Sequence, residues 1–290
     1  MNDSFHLNTQ IVGLLGHPIK HTFSPFIHNI AFEMKKLDYI YLPFDVPPAN
    51  LKNAIKGIIA LGVKGFNVTI PHKENMIDFM NNVSEEASIV GSINTVVNEM
   101  GKLNGYNTDV TGILETLNPY KKEISGEIVS VVGSGGAARA VIYTLIRHFK
   151  PKKIFLINRT EQRAESLKSY FKAKMKFDGF STKELFPPNL VKIFNDSKLI
   201  VNSTPVGMYP ESDDSITTLE DSFTKDQLIF DLVYNPPKTK LMRIAESKGA
   251  ITLDGVNMLV YQAAGAFKLW TGEELPIDKL HKSLQLYINS

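Results

Sequence analysis

The 290-residue chain contains no cysteine, which excludes disulfides, thiol nucleophiles and thiolate metal sites together. It has no surplus of either charge: 32 Lys and Arg stand against 30 Asp and Glu, a formal net charge of +2. A chain so balanced, with no basic block, has no electrostatic footprint for nucleic acid or an anionic membrane surface, and points to a small-molecule substrate. No apolar run approaches the roughly 18 residues that span a bilayer, and the opening MNDSFHLNTQ lacks the apolar core of a secretory signal. A cytoplasmic location is the expectation. No period of about 20 to 50 residues recurs, which argues against a solenoid. The length suffices for two domains of ordinary size.

The most informative stretch runs from Glu127 to Arg139, EIVSVVGSGGAAR. The apolar run Ile128 to Val132, with charge before it and glycines after it, reads as a strand buried on both faces. Beyond the glycines, Ala138, Val141, Ile142, Leu145 and Phe149 share one helical face. Strand, tight turn and helix in that order are the context a dinucleotide-binding glycine turn requires. Gly133 makes the turn, Gly135 lets the backbone approach a pyrophosphate held at the helix start, and Ala138 replaces the third glycine. An ordinary glycine-rich turn without a ligand is the alternative.

The next strand, KKIFLIN from Lys152 to Asn158, should end in a carboxylate if an adenine ribose diol is to be held. Asn158, Arg159 and Thr160 stand there instead, with Arg163 one helical turn on. Two guanidinium groups suit a 2′-phosphate, which favours NADP over NAD. The alternative is that Arg159 and Arg163 are solvated helix-start residues and Thr160 an N-cap, and the nearby Glu161 keeps that reading open.

The first third alternates strand and helix patterns. Gln10 to Gly16, Tyr39 to Val46 and Lys64 to Ile70 read as strands, and Ser92 to Asn98 as a fourth. Ile27, Ile30, Ala31 and Met34 form one helical stripe, and Leu51, Ile55, Ile58 and Ile59 another that stops at Gly62. A helix from about Asn107 carries Val110, Ile113, Leu114 and Leu117 and ends at Pro119. Leu199 to Met208 and Leu228 to Tyr234 are apolar strands opening into polar loops, while the stretch from Phe171 to Ser197 has no clear pattern. The last helices place Val256, Leu259, Val260, Ala263 and Phe267, then Ile277, Leu280, Leu284 and Ile288, on their apolar faces. The fold class is α/β throughout.

Polar clusters fall at strand ends and helix starts, where α/β folds place ligands. In HTFSP, Ser24 is expected at the N-cap and Pro25 at N1, and the hydroxyls of Thr22 and Ser24 suit a carboxylate. Lys73 follows a proline turn in NVTIPHK; a lone lysine there is usually solvated. GSINT and YNTD add amides, hydroxyls and Asp109, which would complement its helix dipole whatever else it did. Gln262 is either a surface glutamine or a polar finger into a site. The histidines His17, His21, His28 and His72 lack metal-ligand spacing and read as satisfied surface residues, so no metal is expected.

Nine runs in order carry what no single cluster does: GHPIKHTFSPFIHN, NVTIPHK, GSINT, YNTD, GSGGAAR, NRT, NSTPVGM, DLVYNPPKT and GVNMLVYQAAGAFKLWTG. With them the chain resembles the shikimate dehydrogenase family, NADP-linked enzymes of aromatic amino-acid biosynthesis, from Gly16 to Gly272. The resemblance implies an N-terminal α/β substrate-binding and catalytic domain over 1–108, onto which helices of 255–290 pack back. It also implies a Rossmann-type NADP-binding domain over 109–254, with a cleft between the two. It assigns the substrate carboxylate to Thr22 and Ser24 and the ring hydroxyls to Thr69, Asn94, Asp109 and Gln262. Lys73 and Asp109 become the catalytic pair. The cofactor falls to Gly133, Gly135, Gly136, Ala137, Asn158, Arg159, Thr160 and Arg163, with Met208 and Gly255 near the nicotinamide and Tyr234 near the substrate.

The activity implied is reversible reduction of 3-dehydroshikimate to shikimate. One departure matters: Thr22 stands where the family usually has serine, and an added methyl is worth about 1–3 kcal/mol of discrimination. Quinate and aminoshikimate are therefore alternative substrates, and a homodimer is the assembly left open. A methylenetetrahydrofolate dehydrogenase is argued against by YNTD and by the run from Gln262 to Ala264. A catalytically silent binding module is argued against by the presence of both Lys73 and Asp109.

Overall fold

The computed structural model describes residues 6–19 and 22–288 and divides into two compact units, Met1–Thr108 with Val260–Ser290, and Asp109–Leu259. The first unit contains β1 (Gln10–Gly16), α1 (Ser24–Lys35), β2 (Tyr39–Asp45), α2 (Leu51–Ala60), β3 (Gly65–Val68), β4 (Asn82–Val83), α3 (Glu85–Val90), β5 (Thr95–Glu99) and β6 (Lys102–Tyr106). The second holds α4 (Asp109–Leu117), α5 (Lys121–Ile124), β7 (Ile128–Val132), α6 (Gly136–Thr144), β8 (Lys153–Asn158), α7 (Glu161–Met175), β9 (Phe180–Glu184), α8 (Pro187–Asn195), β10 (Leu199–Asn202), β11 (Leu228–Asp231), α9 (Lys240–Ser247) and β12 (Ile251–Leu253). Helix α10 (Gly255–Thr271) begins in the second unit and continues into the first, followed there by α11 (Ile277–Ile288).

The sheet of the first unit runs β2-β1-β3-β5-β6-β4 and is mixed: β1 pairs parallel with β2 and β3, whereas β3–β5 and β5–β6 are antiparallel. The fourth strand lies later than its apolar pattern suggests, beginning at Thr95, because it is half of a hairpin. Met100 and Gly101 connect β5 to β6 at φ of 51° and 89°, the positive values that a two-residue hairpin loop needs. A Met-Gly loop is a weak turn signal, so β6 escapes a reading based on Asn-Gly or Asp-Gly pairs. Indole Nε1 of Trp270 in α10 donates to the carbonyl of Val96 on β5 at 3.0 Å, and Phe267 beside it is fully buried. Aromatic burial of this kind contributes about 2–3 kcal/mol per side chain and seats the C-terminal helix on the sheet.

The second sheet runs β12-β11-β10-β7-β8-β9 and is parallel at every pair. Strand β7 lies third from one edge with neighbours on both sides, which accounts for its apolar run. All five residues of the helical face from Ala138 to Phe149 are fully buried. The stretch from Phe171 to Ser197 holds the end of α7, edge strand β9 and α8; FSTKE alternates weakly and exposes charge at the sheet edge, where a strand carries little apolar signal.

Two expectations are corrected. The buried stripe of α1 is Ser24, Ile27, His28, Ala31 and Phe32, with Met34 exposed, one position round from the apolar reading. The reason is His28, which is fully buried rather than at the surface, stacked on Tyr41 with ring centroids 4.5 Å apart and tilted against Trp270. His72 is buried too, its Nε2 2.6 Å from the carbonyl oxygen of Val46. His17 does face solvent and pairs with Asp45 at 2.7 Å; His21 lies outside the described residues.

Candidate active site

In the first unit the C-terminal ends of β1 and β3 lie side by side, since Leu15 pairs with Val68, and the segments leaving them carry Thr22, Ser24, Thr69 and Lys73. The His17 N–H donates to the Ile70 carbonyl at 2.9 Å and ties the two segments together. Ser24 is not the N-cap: α1 begins at Ser24, Phe23 occupies the cap without a side-chain bond, and Pro25 follows at the second helical position. The Thr22 hydroxyl instead accepts the Ser24 N–H at 3.2 Å and donates to the Ser24 hydroxyl at 3.2 Å. Two hydroxyls are thus fixed on one turn.

A buried polar network underlies the site. The Tyr41 hydroxyl donates to Asn67 Oδ1 at 2.9 Å, and Asn67 Nδ2 donates to the Asn94 carbonyl and the Thr95 hydroxyl at 3.1 and 3.0 Å. Asn94 Oδ1 in turn accepts the Thr108 N–H at 2.7 Å, and its Nδ2 donates to Gln262 Oε1 at 3.4 Å. Gln262 is therefore a buried polar finger from α10 rather than a surface glutamine. The Lys73 carbonyl accepts the N–H of Ile93 at 2.8 Å, so the half-buried lysine stands next to Asn94 in the backbone pairing. Asp109 is buried at the first position of α4, directly after the Thr108 that Asn94 holds. Polar groups so buried are retained where each finds a partner, and such a network fixes amide orientation.

In the second unit Gly133 has φ of +114°, and a Cβ there would come within 2.5 Å of Ser203 Oγ, which itself donates to the Val132 carbonyl. Gly135 differs: its φ is −87°, and an added Cβ would meet nothing within 4 Å. The first glycine makes the turn and the second keeps space open before the start of α6. At the end of β8, Asn158 Nδ2 donates to the Thr160 carbonyl at 2.9 Å. Thr160 takes the N-cap position of α7 with no side-chain cap, so capping does not explain it. Arg159 and Arg163 are exposed, and among the described residues neither is paired with a carboxylate.

Residues 14–96 match the shikimate dehydrogenase substrate binding domain and residues 255–285 the shikimate 5′-dehydrogenase C-terminal domain. A shikimate dehydrogenase (NADP+) of Caldanaerobacter subterraneus is 42% identical over 96% of this chain and 97% of its own. The chain belongs to the shikimate dehydrogenase family. Two solved shikimate dehydrogenases share its fold. That of Listeria monocytogenes, in complex with shikimate and NAD, is 34% identical at a TM-score of 0.85, covering 98% and 99% of the two chains. That of Thermus thermophilus, in complex with NADP(H) and shikimate, is 33% identical at 0.82, covering 95% and 98%.

Within this shikimate dehydrogenase family member, Thr22, Ser24, Thr69, Lys73 and Asn94 fall in the first matched region and Gln262 in the second. Gly255, expected beside the nicotinamide, has a structural reason of its own: a Cβ there would come within 3 Å of the Leu232 and Val233 carbonyl oxygens. Met208 is partly exposed, and its loop is joined to the loop of half-buried Tyr234 by the Tyr209 N–H, which donates to the Asn235 carbonyl at 2.9 Å.

One residue that sequence reasoning passed over organises these loops. Buried Asp231 accepts from Asn202 Nδ2 at 2.9 Å, the Val233 N–H at 3.1 Å and the Thr239 hydroxyl at 2.7 Å. Burial raises its carboxyl to about 6, and these three donors oppose the rise. A polar residue ending an apolar strand in both NSTPVGM and DLVYNPPKT was the available signal. Among the described residues no cluster of three metal-ligating side chains occurs, and no helix is long and apolar enough to cross a membrane.

Proposed function

We propose that this chain catalyses the reversible, NADP-dependent interconversion of 3-dehydroshikimate and shikimate, with residues 1–108 and the C-terminal helices 255–290 holding substrate and residues 109–254 holding NADP. The observation that carries the reading is the buried bond from Asn94 to Gln262, 168 positions apart, beside the Lys73 turn. That arrangement supplies amide donors and acceptors for a polyhydroxylated ring and one amine for the proton. Thr22 and Ser24 hold the carboxylate, Thr69, Asn94, Asp109 and Gln262 the hydroxyls, and Tyr234 the ring.

The residues present fit the dinucleotide. Space is open at Gly135, N–H donors gather where α6 begins, and two exposed guanidinium groups, without a carboxylate partner among the described residues, stand where a ribose carboxylate is missing. Gly133, Gly136, Ala137, Asn158 and Thr160 complete that edge, with Met208 and Gly255 toward the nicotinamide. The dinucleotide held there would supply the hydride acceptor for oxidation of the ring carbinol and, in its reduced form, the hydride donor for the reverse. In the reducing direction Lys73 gives a proton to the nascent alkoxide, and in oxidation it takes one from the hydroxyl, while Asp109 orients that hydroxyl.

The balanced charge supports a small-molecule substrate, a cytoplasmic location and no nucleic-acid partner; a homodimer is the assembly to test by sedimentation. The extra methyl of Thr22 crowds the carboxylate pocket and leaves quinate and aminoshikimate as the alternative substrates to test. Following reduced-nicotinamide absorbance with shikimate and quinate, each with NADP and NAD, tests the whole reading. Shikimate with NADP is expected to be fastest, and four blank traces would put a binding module in place of the enzyme.

A further inference from the structure

Tyr287 lies in α11, outside every motif, yet its ring rests on the segment that carries Thr22 and Ser24. The Phe26 and Tyr287 rings stack at 4.1 Å with planes 16° apart, and Phe23 meets Tyr287 edge-on at 6.0 Å and 90°. Phe23 is the residue between the two hydroxyls. Because those hydroxyls bond each other, they turn together with the backbone at Phe23, and whatever holds that ring aims both of them. Stacked and edge-on ring pairs hold a segment in this way without directional polar bonds.

Tyr287 is not the buried anchor of its own helix. Leu280 and Leu284 are fully buried and anchor α11, whereas Tyr287 is 48% exposed. A side chain that served only as core would be expected inside.

We propose that Tyr287 is a positioning residue for the substrate carboxylate, clamping Phe23 and Phe26 so that the Thr22 and Ser24 hydroxyls converge on one anion. This rests on the assignment of Thr22 and Ser24 to the carboxylate. The carboxylate takes no part in the chemistry and is held equally in ground and transition states, so disturbing its site acts on KM and leaves kcat alone.

The test is steady-state kinetics on the full-length protein. Tyr287→Ala is expected to raise KM for shikimate about five- to tenfold, the scale of one aromatic pair, with kcat and KM for NADP unchanged. Tyr287→Phe should restore the wild-type value. The uncharged methyl ester of shikimate, used as a competitor, should bind wild type and Tyr287→Ala alike. If Tyr287→Ala does not fold, Tyr287→Leu, which keeps the apolar cover but loses the ring geometry, should give the same split. Thr22→Val separates the two layers: an unchanged KM for shikimate there removes the carboxylate assignment. A raised KM for Thr22→Val with normal KM in Tyr287→Ala removes the clamp alone. Equal losses in kcat, both KM values and ester binding would reduce Tyr287 to a structural residue.

Discussion

A single amine carries the proton in the proposed reaction, and the chain offers it in a half-buried turn whose backbone is pinned to Ile93. Lys73→Ala is therefore expected to lower kcat by about 10² to 10⁴ with little change in KM for shikimate, the range for a general acid–base group. Near-normal turnover would remove Lys73 from the mechanism. Arg159 is tested by cofactor choice. With no carboxylate partner among the described residues, Arg159→Ala has no ion pair there to lose, so it should raise KM for NADP several-fold and leave KM for NAD as it was. Equal changes for both cofactors would contradict a 2′-phosphate site. Both residues were visible in the sequence as residue types at strand ends. What was not visible was Gln262 meeting Asn94, because nothing in a helical stripe tells which flank of α10 faces the β5 end.

At the scale of the element, the glycine turn separates two demands that one motif hides. Gly133 sits at positive φ against Ser203, so Gly133→Ala should destabilise the protein by about 1–3 kcal/mol. Gly135→Ala meets no atom and no strained φ; it should unfold normally in urea while raising KM for NADP. A stability loss equal to that of Gly133→Ala would mean that the second glycine is structural as well. The elements that pattern alone identified were the apolar ones: β1, β7, α6 and α10 have buried faces with clean periodicity. Among the elements it missed were β6 and β9, where a Met-Gly loop and an edge position leave too little apolar signal, and short pieces such as β4, α3 and β12. Thr160 shows a further limit, since its place at the start of α7 was legible and its lack of a capping bond was not.

Across the whole molecule, each unit buries one group whose titration is displaced far from its ordinary value, His28 in the first and Asp231 in the second, and the two act in opposite directions. In the first unit, burial depresses His28 from 6.5 to about 3, with nearby Asn67 opposing; neither ring nitrogen has a hydrogen bond of ordinary geometry. The unfolded chain binds the proton first, so this contribution is intact above 6.5 and lost as pH falls toward 3. It amounts to about 2 kcal/mol between pH 7 and pH 5. In the second unit Asp231 is raised from 3.8 to about 6 by burial. The folded form there binds the proton first, which adds about 1 kcal/mol over the same interval and is lost as pH rises through 6. Urea unfolding of His28→Phe should therefore show a smaller loss than wild type between pH 7 and pH 5, and Asp231→Asn a larger one. The same pH response in both variants as in wild type would show that neither group is linked to folding.

The order of strand and helix, the α/β class, the glycine turn and the polar residues at the strand ends were all determined by local sequence, because periodicity and turn chemistry are properties of neighbours along the chain. Which residues meet was decided by tertiary structure. Sheet pairing brought β1 beside β3, the return of α10 and α11 to the first unit brought Gln262 to Asn94 and Tyr287 to Phe23, and burial turned His28 and Asp231 into shifted groups. These depend on long-range packing and on the loss of water around a side chain, and neither leaves a trace in any short window of residues.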